Sequence, residues 1–225
     1  MTSKSFLDKL NVVALRFSSG GRKPEQLDYL ETELDLGNQT ELEAGYRSQF
    51  QPLLVGFEGA AYSGYVIHNL TARVTQDIGL VQSVGNKNMR QHLDYARMAN
   101  ERNLPIISLG FSWGCSRAMA FAHRCQKEAI PIDLMIYMDP TYLGLSPFPK
   151  KIPSNVGRTI AFKSDRTIEI VGGRGLQKED FEDPRSDFED ILVEETEHPM
   201  LPKRDSVEER IRREILEIFK KPEYF

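Results

Sequence analysis

The chain has 225 residues, a formal net charge of −4 and a pI near 5.7. That balance gives no reason to expect nucleic acid or an anionic membrane as a partner, and no run of about 18 apolar residues is present to form a membrane span. Hydrophobic residues make up 40% of the chain, enough to fill the core of one α/β domain, and residues 1–225 read as a single domain.

The N-terminus lacks a basic region followed by an apolar one, so no secretory signal is expected. Two cysteines, Cys115 and Cys125, fall on one predicted helix, about 15 Å apart along its axis. That is too far for a disulfide within the helix. Free thiols suit a reducing, cytoplasmic compartment. Neither has a Cys or His partner at metal-ligand spacing, so no metal is expected.

Residues 1–50 are poorly readable. A short strand is expected within 11–17, and 23–43 reads as a polar surface helix and loop. From residue 51 onward the pattern alternates. Residues 52–57 (PLLVGF) are a buried strand ending at Glu58-Gly59. Residues 65–74 are helical, with Ile67, Leu70 and Val74 on one face. A second strand is expected within 78–84. A helix follows over 88–100, with Met89, Leu93 and Ala96 at helical spacing. Residues 105–109 are the next strand, 113–127 a helix, 132–138 (IDLMIYM) a strand ending at Asp139-Pro140, and 158–163 a further strand. Strands alternating with helices of this length predict βαβ units: a mostly parallel, doubly wound α/β sheet with helices on both faces.

Residues 172–190 read as a loop, Gly-rich at 172–175 and then acidic, with a short strand at 191–193. Gly172-Gly173-Arg174-Gly175 lacks the spacing and the following Lys-Ser/Thr of a phosphate loop. The acidic stretch 179–190 reads as a solvated loop, with a lid as the alternative. Ser206 and Glu209 have capping-box spacing, and Val207, Ile211, Ile215 and Ile218 then recur on one face of a terminal helix that stops at Pro222.

Gly110-Phe111-Ser112-Trp113-Gly114 is the one local pattern that carries chemistry. G-x-S-x-G arises by chance in roughly one chain of this size in fifteen. Its position between an apolar strand and a helix rich in small residues is the informative part. There the serine occupies a sharp strand-to-helix turn that lifts its hydroxyl above the sheet. A serine hydroxyl needs a base within reach and a group to orient that base. Of the four histidines, His68 and His92 precede Ser112. His123 lies three turns along the same helix, out of reach. The order Ser, acid, His therefore selects His198. Asp139 ends an apolar strand at the serine's edge of the sheet and is the expected acid, with Asp165, after the next strand, as the alternative. Asp133 starts its strand and so lies at the opposite edge. The backbone N–H of Trp113 is one expected oxyanion donor, and that of Phe57 or Glu58 the other.

These blocks together resemble the α/β-hydrolase superfamily, especially its small lipase-, esterase- and thioesterase-like members. Residues 55–59 (VGFEG) look like its oxyanion strand and turn, 109–116 (LGFSWGCS) its nucleophile elbow, 132–140 its acid-bearing strand, and Glu197-His198-Pro199 its histidine loop. The resemblance implies a serine hydrolase acting on a small-molecule carboxylic ester or thioester through Ser112, His198 and Asp139, with no cofactor. Acyl transfer or thioester cleavage on a carrier-bound group is a second reading. A non-catalytic binding protein on the same scaffold is a third. The sequence departs from the family at the oxyanion turn, where Gly56-Phe57 replaces His-Gly. The sheet is expected to have fewer than the family's eight strands. The segment 139–158 leaves little room for a cap, so a shallow site is expected, with Tyr142, Leu143, Leu145 and Phe148 lining an acyl pocket.

Overall fold

In the computed structural model, residues 14–16, 52–59, 66–75, 81–84, 89–140, 151–165 and 176–220 are described. They contain seven strands: β1 (Ala14–Arg16), β2 (Leu53–Phe57), β3 (Val81–Val84), β4 (Ile106–Phe111), β5 (Ile132–Met138), β6 (Val156–Ser164) and β7 (Asp187–Val193). Between and after them lie the helices α1 (Val66–Val74), α2 (Met89–Asn100), α3 (Gly114–Lys127) and α4 (Asp205–Phe219). The strands form one sheet in the order β1-β3-β2-β4-β5-β6-β7. Every pairing is parallel.

The central strands β2, β4 and β5 are mostly apolar because both of their faces are covered. Leu53, Val55 and Phe57 of β2, with Met135 and Tyr137 of β5, pack under α2 and α3. Leu54, Ile107, Leu109, Leu134 and Ile136 point the other way, under α1 and α4. On the face of β4 towards α2 and α3, Ile106 is followed by the small residues Ser108 and Gly110. Their small size lets α3 approach closely. A Cβ on Gly110 would lie 2.7 Å from the Cα of Cys115.

The chain leaves β2 for β3 on one side, then crosses to β4 on the other. The carboxyl ends of β2 and β4 therefore flank a topological switch point, where sheets of this kind open a ligand crevice. Phe57-Glu58 and Ser112 lie at that crevice.

Two expectations fail. Residues 187–190, read as acidic loop, are the first half of β7. Their charge is tolerated because the strand is at the edge and cations face it. Arg158 contacts Asp187 at 2.5 Å and Glu189 at 3.0 Å, and Arg210 contacts Glu189 at 2.7 Å. The Ser206–Glu209 capping box also does not form. The helix begins at Asp205, so Ser206 is already inside it, and Arg204 holds the N-cap position without a side-chain cap. Asp205 and Glu208 in the first turn complement the helix dipole instead. The apolar stripe Val207, Ile211, Ile215 and Ile218 is buried as expected. Cys115 and Cys125 are free and buried. The expected elements at 23–43, the glycines 172–175, the pocket wall 142–148 and the stop at Pro222 lie outside the described residues. No described helix is long and apolar enough to cross a membrane.

Candidate active site

β4 runs directly into α3 through Ser112, whose φ is 53°. That left-handed conformation is costly for a residue with a side chain. It is held from both sides. The Ser112 N–H donates to the Met138 carbonyl at 2.8 Å, and the Ser112 carbonyl accepts the Cys115 N–H at 3.1 Å. The flanking glycines are steric necessities. A Cβ on Gly114 would sit 2.1 Å from the Phe57 carbonyl oxygen and 2.8 Å from that of Glu58. The start of α3 is thereby pressed against the turn after β2.

Beneath the elbow, the Cys115 thiol donates to the Gly110 carbonyl at 3.2 Å. Burial pushes this thiol far above the ordinary range, and pushes Cys125 up to about 12. Both remain neutral near pH 7, the less reactive form of a thiol.

Asp139 follows β5 and is fully buried, with φ 44°. Its N–H donates to the Phe162 carbonyl at 2.8 Å, which extends the sheet by one residue. Its carboxylate is held by Ser164 and His198. The Ser164 N–H reaches Oδ1 at 2.8 Å, and the Ser164 hydroxyl reaches Oδ2 at 2.5 Å. His198 Nδ1 lies 3.0 Å from the same Oδ2. A carboxylate only accepts, so Nδ1 carries the proton and Nε2 is left as the basic nitrogen.

The imidazole stacks on the ring of Phe111, centroids 4.7 Å apart and planes 25° from parallel. Phe111 immediately precedes Ser112. His198 opens a 3-10 turn, His198–Lys203, just after β7. His198 thus contacts Asp139 at the end of β5, and its ring stacks on Phe111, the residue before Ser112 at the end of β4.

The alternative acid, Asp165, is directed elsewhere. Its two oxygens accept the backbone N–H groups of Glu195 and Thr196 at 2.7 and 2.8 Å. Asp133 is at the opposite edge, accepting the Ile106 N–H at 2.8 Å. His123 Nε2 contacts the Lys151 carbonyl at 2.7 Å, while His92 is buried edge-on against Phe57.

Two residues of the site escape sequence reasoning. Ser164 belongs to no motif; it lies at the end of β6, the strand paired with β5 beside Asp139. For Glu58 the sequence predicts only a backbone N–H donor. Its carboxylate caps α1, accepting the N–H groups of Ile67 and His68 at 3.2 and 3.1 Å. Burial pushes its pKa up to about 7, against the opposing effect of those two hydrogen bonds. Among the described residues no group of His, Cys, Asp and Glu could hold a metal ion.

No family model and no curated protein matches the sequence. Solved structures do match. An arylesterase superposes with a TM-score of 0.53 at 10% identity, covering 78% of this chain and 76% of that one. Est1E from Butyrivibrio proteoclasticus gives 0.51 at 15%, covering 76% and 89%. An Agrobacterium tumefaciens protein of unknown function, itself proposed to be an α/β hydrolase, gives 0.50 at 10%, covering 76% and 87%. The fold is α/β-hydrolase-like. At such identities the likeness is one of fold, and the chemistry has to be argued from this chain's own residues.

Proposed function

We propose that this chain is a serine hydrolase cleaving a carboxylic ester or thioester through an acyl-enzyme. One observation carries the reading: buried Asp139 holds His198 Nδ1, and the ring of His198 rests on the residue before a serine in a strained elbow.

Ser112 Oγ attacks the acyl carbonyl carbon and gives its proton to His198 Nε2. Asp139 stabilises the imidazolium. The tetrahedral oxyanion takes the N–H of Trp113 and one from the Phe57–Glu58 turn, at the positive end of α3. Collapse expels the alcohol or thiol, which leaves with the proton from Nε2. Water then attacks the acyl-enzyme by the same route and releases the acid.

No step calls for a metal or cofactor. Trp113 and Met200, exposed by 46% and 44%, adjoin the serine and the histidine loop and supply apolar surface for a small acyl substrate. The two free thiols fit a cytoplasmic location.

The test is Asp139→Asn, which keeps the shape but favours the wrong tautomer. Turnover of p-nitrophenyl acetate should fall about 10⁴-fold. Wild-type turnover in this variant would exclude the assigned acid, and a wild type inert to both esters and thioesters would favour a binding scaffold.

A further inference from the structure

We propose that Asp165 is a positioning residue that locks the histidine loop, so that the end of β6 fixes both the acid and the base. This rests on the hydrolase reading above. Adjacent residues divide the work. Ser164 holds Asp139 through its N–H and hydroxyl. Asp165 takes the N–H groups of Glu195 and Thr196, three and two residues before His198, one on each carboxylate oxygen.

The gripped turn is not a relaxed one. Glu195 has φ 52°, a conformation that persists only where its surroundings enforce it. Further contacts act on the same two residues. Arg204 Nε donates to the Thr196 hydroxyl at 2.8 Å, and its Nη2 donates to the Glu195 carbonyl. The Thr196 hydroxyl in turn donates to the Glu194 carbonyl at 2.9 Å, and Thr196 is fully buried. Asp165 is therefore anchored one residue from the acid's own clamp and holds the loop that delivers the imidazole. Both sides of the Asp139–His198 contact are referred to one strand end.

An asparagine at 165 offers one acceptor where two N–H groups arrive, and its amide NH₂ faces the other donor. The turn then loses its register, and His198 shifts on Asp139. Misplacement of a catalytic group by about 1 Å lowers turnover by about 100-fold.

The experiment compares full-length wild type with Asp165→Asn, and with Asp183→Asn as a control in an exposed pair with Arg185. Two quantities are read: kcat and KM for p-nitrophenyl acetate, per serine titrated by a fluorophosphonate, and the His198 tautomer by long-range proton–nitrogen NMR. In Asp165→Asn, kcat should fall about 10- to 100-fold with KM within about twofold, and the single Nδ1–H tautomer should give way to a mixture. Asp183→Asn should match wild type in both.

Retention of the single tautomer in Asp165→Asn overturns the proposal, whatever happens to turnover. A loss of activity that vanishes on normalising per titrated serine also overturns it, since that is a folding effect. If wild type itself has no turnover, the hydrolase reading fails separately, and the tautomer still decides the positioning role. Should Asp165→Asn not fold, Asp165→Glu, which keeps the charge but displaces both acceptor oxygens by one methylene from the Glu195 and Thr196 N–H groups, carries the same test.

Discussion

Gly114→Ala probes how closely the nucleophile elbow is pressed against the turn after β2. The new Cβ would meet the Phe57 carbonyl oxygen at 2.1 Å, where ordinary contact begins near 3.4 Å. The shortfall is 3.4 − 2.1, about 1.3 Å, and the obstructing atoms at Phe57 and Glu58 are backbone. No rotamer change can relieve it, so the start of α3 and the end of β2 must separate. Overpacking of this kind costs about 1–3 kcal/mol. The separation also moves the two sets of oxyanion donors apart by about an ångström, which predicts a fall in kcat of about 100-fold with KM little changed. The assay is p-nitrophenyl acetate kinetics normalised per titrated serine, with urea unfolding alongside. Gly157→Ala is the control: its Cβ would approach the Asp133 carbonyl at 3.3 Å, at the far edge of the sheet, and kcat should not change. A Gly114→Ala protein with wild-type kcat per active serine would refute the reasoning, even if it were less stable.

Ser164→Ala removes the 2.5 Å hydroxyl donor from the oxygen of Asp139 that faces His198. Hydrogen bonds to charged groups contribute about 1.5–3 kcal/mol, and urea unfolding should show a loss of that order together with reduced kcat. An unchanged midpoint would mean that the hydroxyl does not stabilise the acid. Glu58 gives a pH prediction. Its carboxyl is raised from 4.5 to about 7 by burial, so between those values the folded protein keeps a proton that the unfolded chain has released. Stability from this group is present below pH 4.5 and is lost as pH rises towards 7, by up to about 3 kcal/mol. Glu58→Gln should abolish that slope in urea unfolding across the window. Parallel wild-type and variant profiles would contradict it.

The strand–helix alternation from residue 52 to residue 138 was legible because its strands are covered on both faces. Continuous apolar runs such as LLVGF and IDLMIYM then stand out against the amphipathic helices. β7 was half hidden for the opposite reason. At the sheet edge its side chains can be acidic, provided Arg158 and Arg210 face them, and that pairing joins residues distant in sequence. Ser112 and the two glycines were legible because one short turn needs all three within five positions. The choice between Asp139 and Asp165 was not, since both end strands on the same sheet edge. What separates them is where the histidine loop falls: its imidazole meets Asp139, and its backbone meets Asp165. Ser164 and the Glu58 side chain act through single contacts across the fold, which leave no local pattern.

The central claim is that Ser112 is a nucleophile activated by His198. A fluorophosphonate reacts covalently with such a serine, and mass mapping of the modified peptide identifies the residue. The account predicts one phosphonate per chain, carried by Ser112, with labelling absent in Ser112→Ala and strongly slowed in His198→Ala. Folded wild-type protein that stays unlabelled, or a label on any other residue, would contradict it.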